Sequence, residues 1–305
     1  MDDLSGDIPS FMQVGSLFTD ECAAIDYLKR KGLIYDARSC EKCENSMTIY
    51  ENRPKLWRCT TCRTRCSIFE GSMFARSHLK VNHILFLMWL FLLQTPVTKT
   101  MAALGISAHT ACNWYQFLRV GIADGLNEQD LVIGGDNVIV EIDESKFAKR
   151  KYHRGKRKVM QEWVLGGIER TAEGKCFMEV VAHRDAETLL RVIHKYVKPG
   201  TVIYTDCWAA YNVLDDDPLY KDHKSVNHSK HFKDPDTGVH TNTIEGVWNG
   251  AKLLIRPQRR RIERMAENLF EYIFRKQNKG NTWNALFDKL KDVEWNEVEE
   301  AQDLE

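Results

Sequence analysis

The chain has no apolar run longer than ten residues, Ile84 to Leu93, where a helix crossing a bilayer needs about 20. No membrane-spanning segment is therefore expected. No basic stretch followed by an apolar segment opens the N-terminus, which carries acids instead, so the expectation is a soluble intracellular protein without a secretory signal. Proline is scarce at 7 of 305 residues, and there is neither a Gly/Ser-rich or Pro-rich linker nor an internal repeat, so domain boundaries must be read from changes of pattern. The chain also lacks net charge, with 43 Lys plus Arg against 43 Asp plus Glu.

That zero is a sum over unlike parts. Residues 1–26 hold six acids and no base, and residues 292–305 hold seven acids and no base; the stretch 27–291 is left with 43 basic and 30 acidic residues, or +13. A basic middle between acidic ends is compatible with a polyanionic partner such as nucleic acid. With 43% apolar residues and 10% aromatics, the chain has enough material for folded cores, and its length suits about two domains. Disorder is excluded for most of it. Nine cysteines, an odd number without an export signal, point to metal ligation before disulfides.

Along the chain, residues 20–34 read as a short amphipathic helix and residues 40–66 as Cys-rich short strands, while 77–119 carry apolar residues at three- and four-residue spacing. After Gly134-Gly135 the period changes. Val138–Phe147, Glu162–Ile168, Cys176–Ala182 and Thr201–Thr205 read as strands, with a helix from about Ala186 to Val197. The expected fold class is therefore α/β (α+β). The expected organisation is an acidic, helical lead over 1–35, a zinc ribbon over 36–75, a helical region over 76–130, a mixed domain over 136–290 and an acidic tail over 291–305.

Two pairs, Cys40-x2-Cys43 and Cys59-x2-Cys62, stand 15 residues apart. Each CxxC turn aims two thiolates at one tetrahedral ion, and two turns close a structural Zn2+ site. Cys66 is a spare thiol that can stand in for Cys62. Between Thr95 and Val120 the chain has the layout of a helix-turn-helix, with Gly105 at the turn and Ser107 as the cap of a second helix. Its exposed face, His109, Thr110 and Asn113, would then read DNA in the major groove; a plain helical hairpin packed on the Ile84–Leu93 helix has the same pattern.

Three acids stand out by context. Asp143 lies in VIVEIDESKF, Asp206 closes the apolar run TVIYT, and Glu245 lies early in a helix that Asn242 caps and Pro257 ends. Glu245, Asn249, Lys252 and Arg256 share one face of that helix beside its apolar stripe. Converging carboxylates suit a pair of hard divalent cations. Duller roles compete: Asp206 as a helix cap for CWAAY, Asp143 as the partner of a lysine, and Glu141 as the strand carboxylate in place of Asp143, since residues i and i+2 face the same side.

Cations cluster at two places. Lys146 to Lys158 holds eight Lys or Arg in 13 residues and no acid, among them Lys149, Arg150, Lys151, Arg154, Lys156, Arg157 and Lys158. Arg256, Arg259, Arg260, Arg261 and Arg264 follow the Glu245 helix. Both read as surfaces that track a phosphate backbone, with solvated charged loops as the bland alternative.

The string EIDESKF, followed by the basic run and then by YTDCWAAY, VNHSKHF and HTNTIEGVWNGAK in that order, resembles the catalytic domain of the Merlin superfamily of cut-and-paste DNA transposases and their bacterial insertion-sequence relatives. WRCTTCRTRCSIFEGSMFARSHL resembles that family's zinc ribbon and the lead into its helical region. The resemblance covers about residues 36–275. It implies an RNase H-like fold and a DDE triad of Asp143, Asp206 and Glu245 binding catalytic Mg2+ or Mn2+. His228, His240 and Asn242 fall in its HS and HTN motifs, where they support the site, contact phosphate or serve the structure alone. It further implies double-stranded DNA partners, both terminal inverted repeats and target DNA, a homodimer or larger assembly, and the nucleus, or the cytoplasm and nucleoid in a bacterium. A domesticated, noncatalytic DNA-binding regulator is the alternative. Two departures stand out: Cys66 replaces a common aromatic, and the 39 positions from Asp206 to Glu245 include the acidic insert Asp215-Asp216-Asp217.

Overall fold

The computed structural model describes residues 7–50, 53–147, 163–227 and 238–295. His228 and the basic residues Lys149, Arg150, Lys151, Arg154, Lys156, Arg157 and Lys158 lie outside the described residues. The chain divides into two compact units, one formed by 1–125 together with 279–305 and the other by 126–278.

In the first unit, α1 (Phe11–Thr19) starts at a capping box in which Ser10 and Gln13 satisfy one another, and Asp20 caps α2 (Glu21–Arg30) by accepting from Cys22 N and Ala23 N. A three-stranded antiparallel sheet follows: β1 (Met47–Tyr50), β2 (Arg53–Cys59) and β3 (Arg65–Ser67). α3 (Val81–Leu92) is apolar on nearly every side and sits at the centre, as a helix of that composition must. Asn82 Nδ2 donates to Phe18 O at 2.8 Å and Trp89 Nε1 to Pro9 O at 2.8 Å, holding the N-terminal segment on α3. α4 (Val97–Leu104) and α5 (Ala108–Gly125) are joined at Gly105, whose left-handed φ of 64° suits a residue without Cβ. Ser107 Oγ accepts from Thr110 N at 3.0 Å, so the cap expected there forms.

The second unit opens with α6 (Glu128–Leu131) and contains β4 (Ile139–Lys146), β5 (Trp163–Glu169), β6 (Cys176–Val181), α7 (Ala186–Tyr196), β7 (Val202–Asp206), β8 (Asp222–Val226), α8 (Asn242–Leu254) and α9 (Met265–Gln277). Its sheet runs β6-β5-β4-β7-β8, with β4, β5 and β6 antiparallel in sequence and β7 and β8 parallel to β4. Strand alternation sends Glu141, Asp143 and Asp206 to one face and Glu144 and Trp163 to the other. α8 covers the first face: Trp248 packs over Gly166, the register partner of Asp143. On the opposite face the Phe177 ring stacks on Tyr196 of α7 at 4.8 Å. One continuous core joins the two layers, with Val140, Ile142, Val164, Ile203, Ile244 and Ala251 fully buried.

α10 (Thr282–Lys291) returns to the first unit, so the mixed domain stops near Asn278 instead of running to 290. Its buried Trp283 donates to Tyr27 OH at 2.8 Å, and a Cβ at Gly125 of α5 would lie 2.2 Å from Lys289 O, a separation only glycine permits. Four strands and α7 fall within a residue or two of their expected bounds. β8 and α1 were not expected. β8, DHKSV, is charged because it is an edge strand, and only Val226 in it is buried. Among the described residues no helix is long and apolar enough to cross a membrane.

Candidate functional site

Asp143 stands in the second half of β4, on the α8 face of the sheet. Trp248 Nε1 donates to Asp143 Oδ2 at 3.0 Å. Burial, reinforced by the negative fields of Asp206 and Glu245, pushes the Asp143 carboxyl up to about 6 even though that N–H and the Glu144 backbone N–H favour the charged form. The three acids singled out in the sequence are thus electrostatic neighbours. Asp206 is the last residue of β7, and its Oδ1 accepts from Trp208 N at 2.9 Å, so the cap-like contact expected as a duller role is present too. Glu245 lies in the first turn of α8. Among the described residues no Lys or Arg forms an ion pair with any of the three. Carboxylates whose negative fields reach Asp143 suit a hard divalent ion by their chemistry, although among the described residues the ligand atoms that lie within 4.8 Å of one another are those of the four cysteines.

Glu141 is occupied differently from Asp143, although it shares its face. Fully buried, it pairs with Arg170 Nε at 2.5 Å and accepts from Thr243 N at 2.8 Å, Ile244 N at 2.9 Å and Thr243 Oγ1 at 2.6 Å. It therefore caps α8 from a distant strand, where negative charge meets the positive end of the helix. This corrects the assignment of the cap to Asn242, which is exposed as the first helical residue; Thr241 occupies the N-cap position, and its side chain does not cap the helix. Arg170 Nη2 also donates to His240 O at 2.7 Å and lies 2.8 Å from His240 Nδ1. His240 belongs to this Glu141–Arg170 network, which ties the start of α8, and with it Glu245, to β4 and to the end of β5.

The cations after α8 divide into two sets. Arg259 is bound to Asn268 Oδ1 and Glu271 Oε2, and Arg260 donates to the carbonyls of Ile255, Phe147 and Lys252. Their guanidinium groups brace the turn between α8 and α9. Arg256 and Arg261 are exposed. Lys252 Nζ donates to Ser145 Oγ at 2.6 Å, beside Asp143 on β4. The acidic insert is also engaged: Asp215 Oδ1 lies 2.6 Å from His223 Nδ1 and Asp217 Oδ2 lies 2.7 Å from His194 Nε2.

In the first unit the four cysteines of the two CxxC turns converge. Cys40 and Cys62 sulfurs are 3.4 Å apart, as are those of Cys43 and Cys59, and all four lie within 4.8 Å of one another. The residue after each pair, Glu44 and Arg63, has a left-handed φ near 60°, so the two turns share one geometry. The Thr64 side chain and backbone hold the Cys62 thiol down at about 6. Such a cluster can hold a structural zinc ion. Cys66 points to Met47 Sδ at 4.0 Å, outside the group. On α5, His109 and Asn113 are exposed and 3.3 Å apart, while Thr110 is half-buried against Ser107.

Trp248, Gly166, Arg170 and Arg184 are site residues that sequence reasoning missed. The legible signal was Gly166-Gly167 inside an apolar strand, which marks a close approach to the backbone.

Residues 131–275 match the family model of the ISXO2-like transposase domain. A stretch of 78 residues is 37% identical to a protein of Haemophilus influenzae (strain ATCC 51907 / DSM 11121 / KW20 / Rd) described as an uncharacterized transposase-like protein, covering 26% of this chain and 60% of the relative. The chain thus spans less than two thirds of the length of that curated relative. Both matches support a transposase of the insertion-sequence type, and the matched family segment contains Asp143, Asp206 and Glu245.

Proposed function

We propose that the protein is a DNA transposase that binds terminal inverted repeats, hydrolyses phosphodiester bonds at the element ends and joins the freed 3'-hydroxyls to target DNA. The observation that carries this reading is that the negative charges of Asp206 and Glu245 both reach Asp143 within the segment that matches a transposase domain. The sheet order supports an RNase H-like assignment, with the first acid on the central strand and the second at the end of its parallel neighbour.

Asp143, Asp206 and Glu245 would hold Mg2+ or Mn2+. Bound there, such ions polarise the phosphodiester, activate water or a 3'-hydroxyl and stabilise the leaving oxygen. The protein's own part is orientation. Trp248 fixes one Asp143 oxygen, the Trp208 N–H fixes one Asp206 oxygen, and the Glu141 cap sets the position of the helix bearing Glu245. The basic run Lys146–Lys158 begins three residues beyond Asp143 and, with Arg256 and Arg261, supplies phosphate contacts. The exposed face of α5 reads the terminal repeats in the major groove, and the four cysteines hold zinc. Two ends cut and joined in concert call for a homodimer or larger assembly. The compartment we propose is the nucleus, on the resemblance to the Merlin superfamily, or the cytoplasm and nucleoid if the source is bacterial.

The test is incubation of the protein and of Asp206→Ala with labelled terminal-repeat DNA and Mg2+ or Mn2+. Cleavage and strand transfer by the wild type alone is the expected result. Tight binding with no cleavage by the wild type would favour a noncatalytic regulator and overturn the enzymatic reading.

A further inference from the structure

We propose that Arg184 is a positioning residue for Asp206, acting from the opposite face of the sheet; the inference rests on the reading of Asp143, Asp206 and Glu245 as metal-binding. The backbone ladder between β4 and β7 stops at the pair Glu141–Tyr204. Asp143 and Asp206 each stand two residues beyond it, so no β4–β7 hydrogen bond fixes one acid relative to the other. Each is paired on its outer side instead, Asp143 with Gly166 on β5 and Asp206 with Val226 on β8, which leaves a side chain room to tie the two directly.

Arg184 is placed to do so. It lies between β6 and α7, next to Asp185, whose side chain caps α7 by accepting from Thr188 N at 2.8 Å. Its guanidinium carbon is 3.7 Å from the Trp163 ring centroid and 4.1 Å from that of Trp208. A cation that close to two indole rings is attracted by both. It also reaches Glu144 Oε2 at 3.5 Å, although Glu144 Oε1 and Arg184 Nε, both buried, have no hydrogen-bond partner among the described residues. Trp163 opens β5, Glu144 adjoins Asp143 on β4, and Trp208 is the residue whose backbone N–H holds Asp206 Oδ1 at 2.9 Å. One side chain thus joins the strand of the first acid to the turn that orients the second, beyond the point where the ladder ends.

The experiment measures Mn2+ affinity by calorimetry on the zinc-loaded full chain for wild type, Asp206→Asn, Arg184→Lys, Arg184→Met and the double variant Glu144→Gln/Arg184→Met. Unfolding midpoints are recorded alongside. Arg184→Lys keeps the charge and loses the planar guanidinium, so it reports on positioning even where the Met variant folds poorly. The expected result is an affinity loss of about tenfold or more for Arg184→Lys and Arg184→Met, the range for residues that orient metal ligands, with no recovery in the double variant. Wild-type affinity in Arg184→Lys, or recovery in the double variant, would mean that Arg184 only neutralises Glu144 and would overturn the inference. Loss of Mn2+ binding in Asp206→Asn alone leaves the metal-site reading standing without this one. Wild-type binding in Asp206→Asn would remove the metal-site reading itself.

Discussion

Trp248 Nε1 donates a 3.0 Å hydrogen bond to Asp143 Oδ2 across the space left by Gly166, the residue paired with Asp143 in the β4–β5 register. The indole thereby does two things at once: it closes the core under α8 and it points a carboxylate. Burial wins over the N–H bond, so the carboxyl is pushed up to about 6.

A stability prediction follows from that balance. An aspartate raised from its ordinary value to about 6 binds more protons folded than unfolded between those two values. Its contribution to stability is therefore present at low pH and lost as pH rises from about 4 to about 6. Asp143→Asn removes the penalty, so without divalent ions the variant should be more stable than wild type near neutral pH by about 1–3 kcal/mol and equal to it below about pH 4. Urea unfolding across that range checks this, and a stability difference that does not change with pH would refute it.

Gly166→Ala should disturb the same contact from the other side. A Cβ there would lie 2.5 Å from Trp248 Cη2 and 3.3 Å from Phe177 O, so the indole must shift and Asp143 loses its donor. Overpacking of this kind costs about 1–3 kcal/mol. Gly246→Ala, on α8 with nothing within 4 Å, is the control and should be neutral or slightly stabilising. Equal unfolding midpoints for the two variants would show that the indole has room to move.

Glu141 should matter for folding before it matters for chemistry. Glu141→Ala leaves Arg170 without its partner and two α8 amides without an acceptor, and removing one partner of a buried pair costs about 3–5 kcal/mol. Glu141→Gln keeps an acceptor for Thr243 and Ile244 and should cost less. Urea titrations that place Gln and Ala at the same midpoint would mean that the pairing with Arg170 carries the whole effect.

How much of this was legible in the sequence depended on distance along the chain. Strand periodicity located β4 to β7, because alternation is a local property. The choice between Glu141 and Asp143 was not local: both face α8, and what separates them is Arg170 and the α8 amides, which arrive from 29 and 102 or 103 positions away. The same holds for Asn242, a good cap by type and place, displaced by a carboxylate from another strand. The arginines after α8 read as a surface cluster, yet Arg259 and Arg260 are consumed by carbonyl and carboxylate acceptors around the turn that their own neighbours create. Charge counts identify cations but not which of them fold back.

Cys66 is the competing ligand for the fourth position of the cysteine site. Two pairs of thiols 3.4 Å apart, all four within 4.8 Å, are close to the edges of about 3.8 Å that a tetrahedron with Zn–S bonds of about 2.3 Å requires, so Cys40, Cys43, Cys59 and Cys62 can close on one ion with little movement. Cys66 is on β3, facing Met47, and cannot replace Cys62 without breaking its pairing with Trp57 on β2. The ribbon's strands are short and few apolar side chains are buried in it, so a zinc ion bound there, with an apparent binding energy of about 10–16 kcal/mol, would be expected to keep the segment folded. The purified protein should contain one zinc per chain; Cys62→Ser should lose it and expose the ribbon to proteolysis, as a strong chelator should in the wild type. Cys66→Ser should keep both metal and protease resistance. Zinc retained by Cys62→Ser and lost by Cys66→Ser would reverse the ligand assignment, and a chelated protein whose ribbon stays protected would show that the core alone holds it.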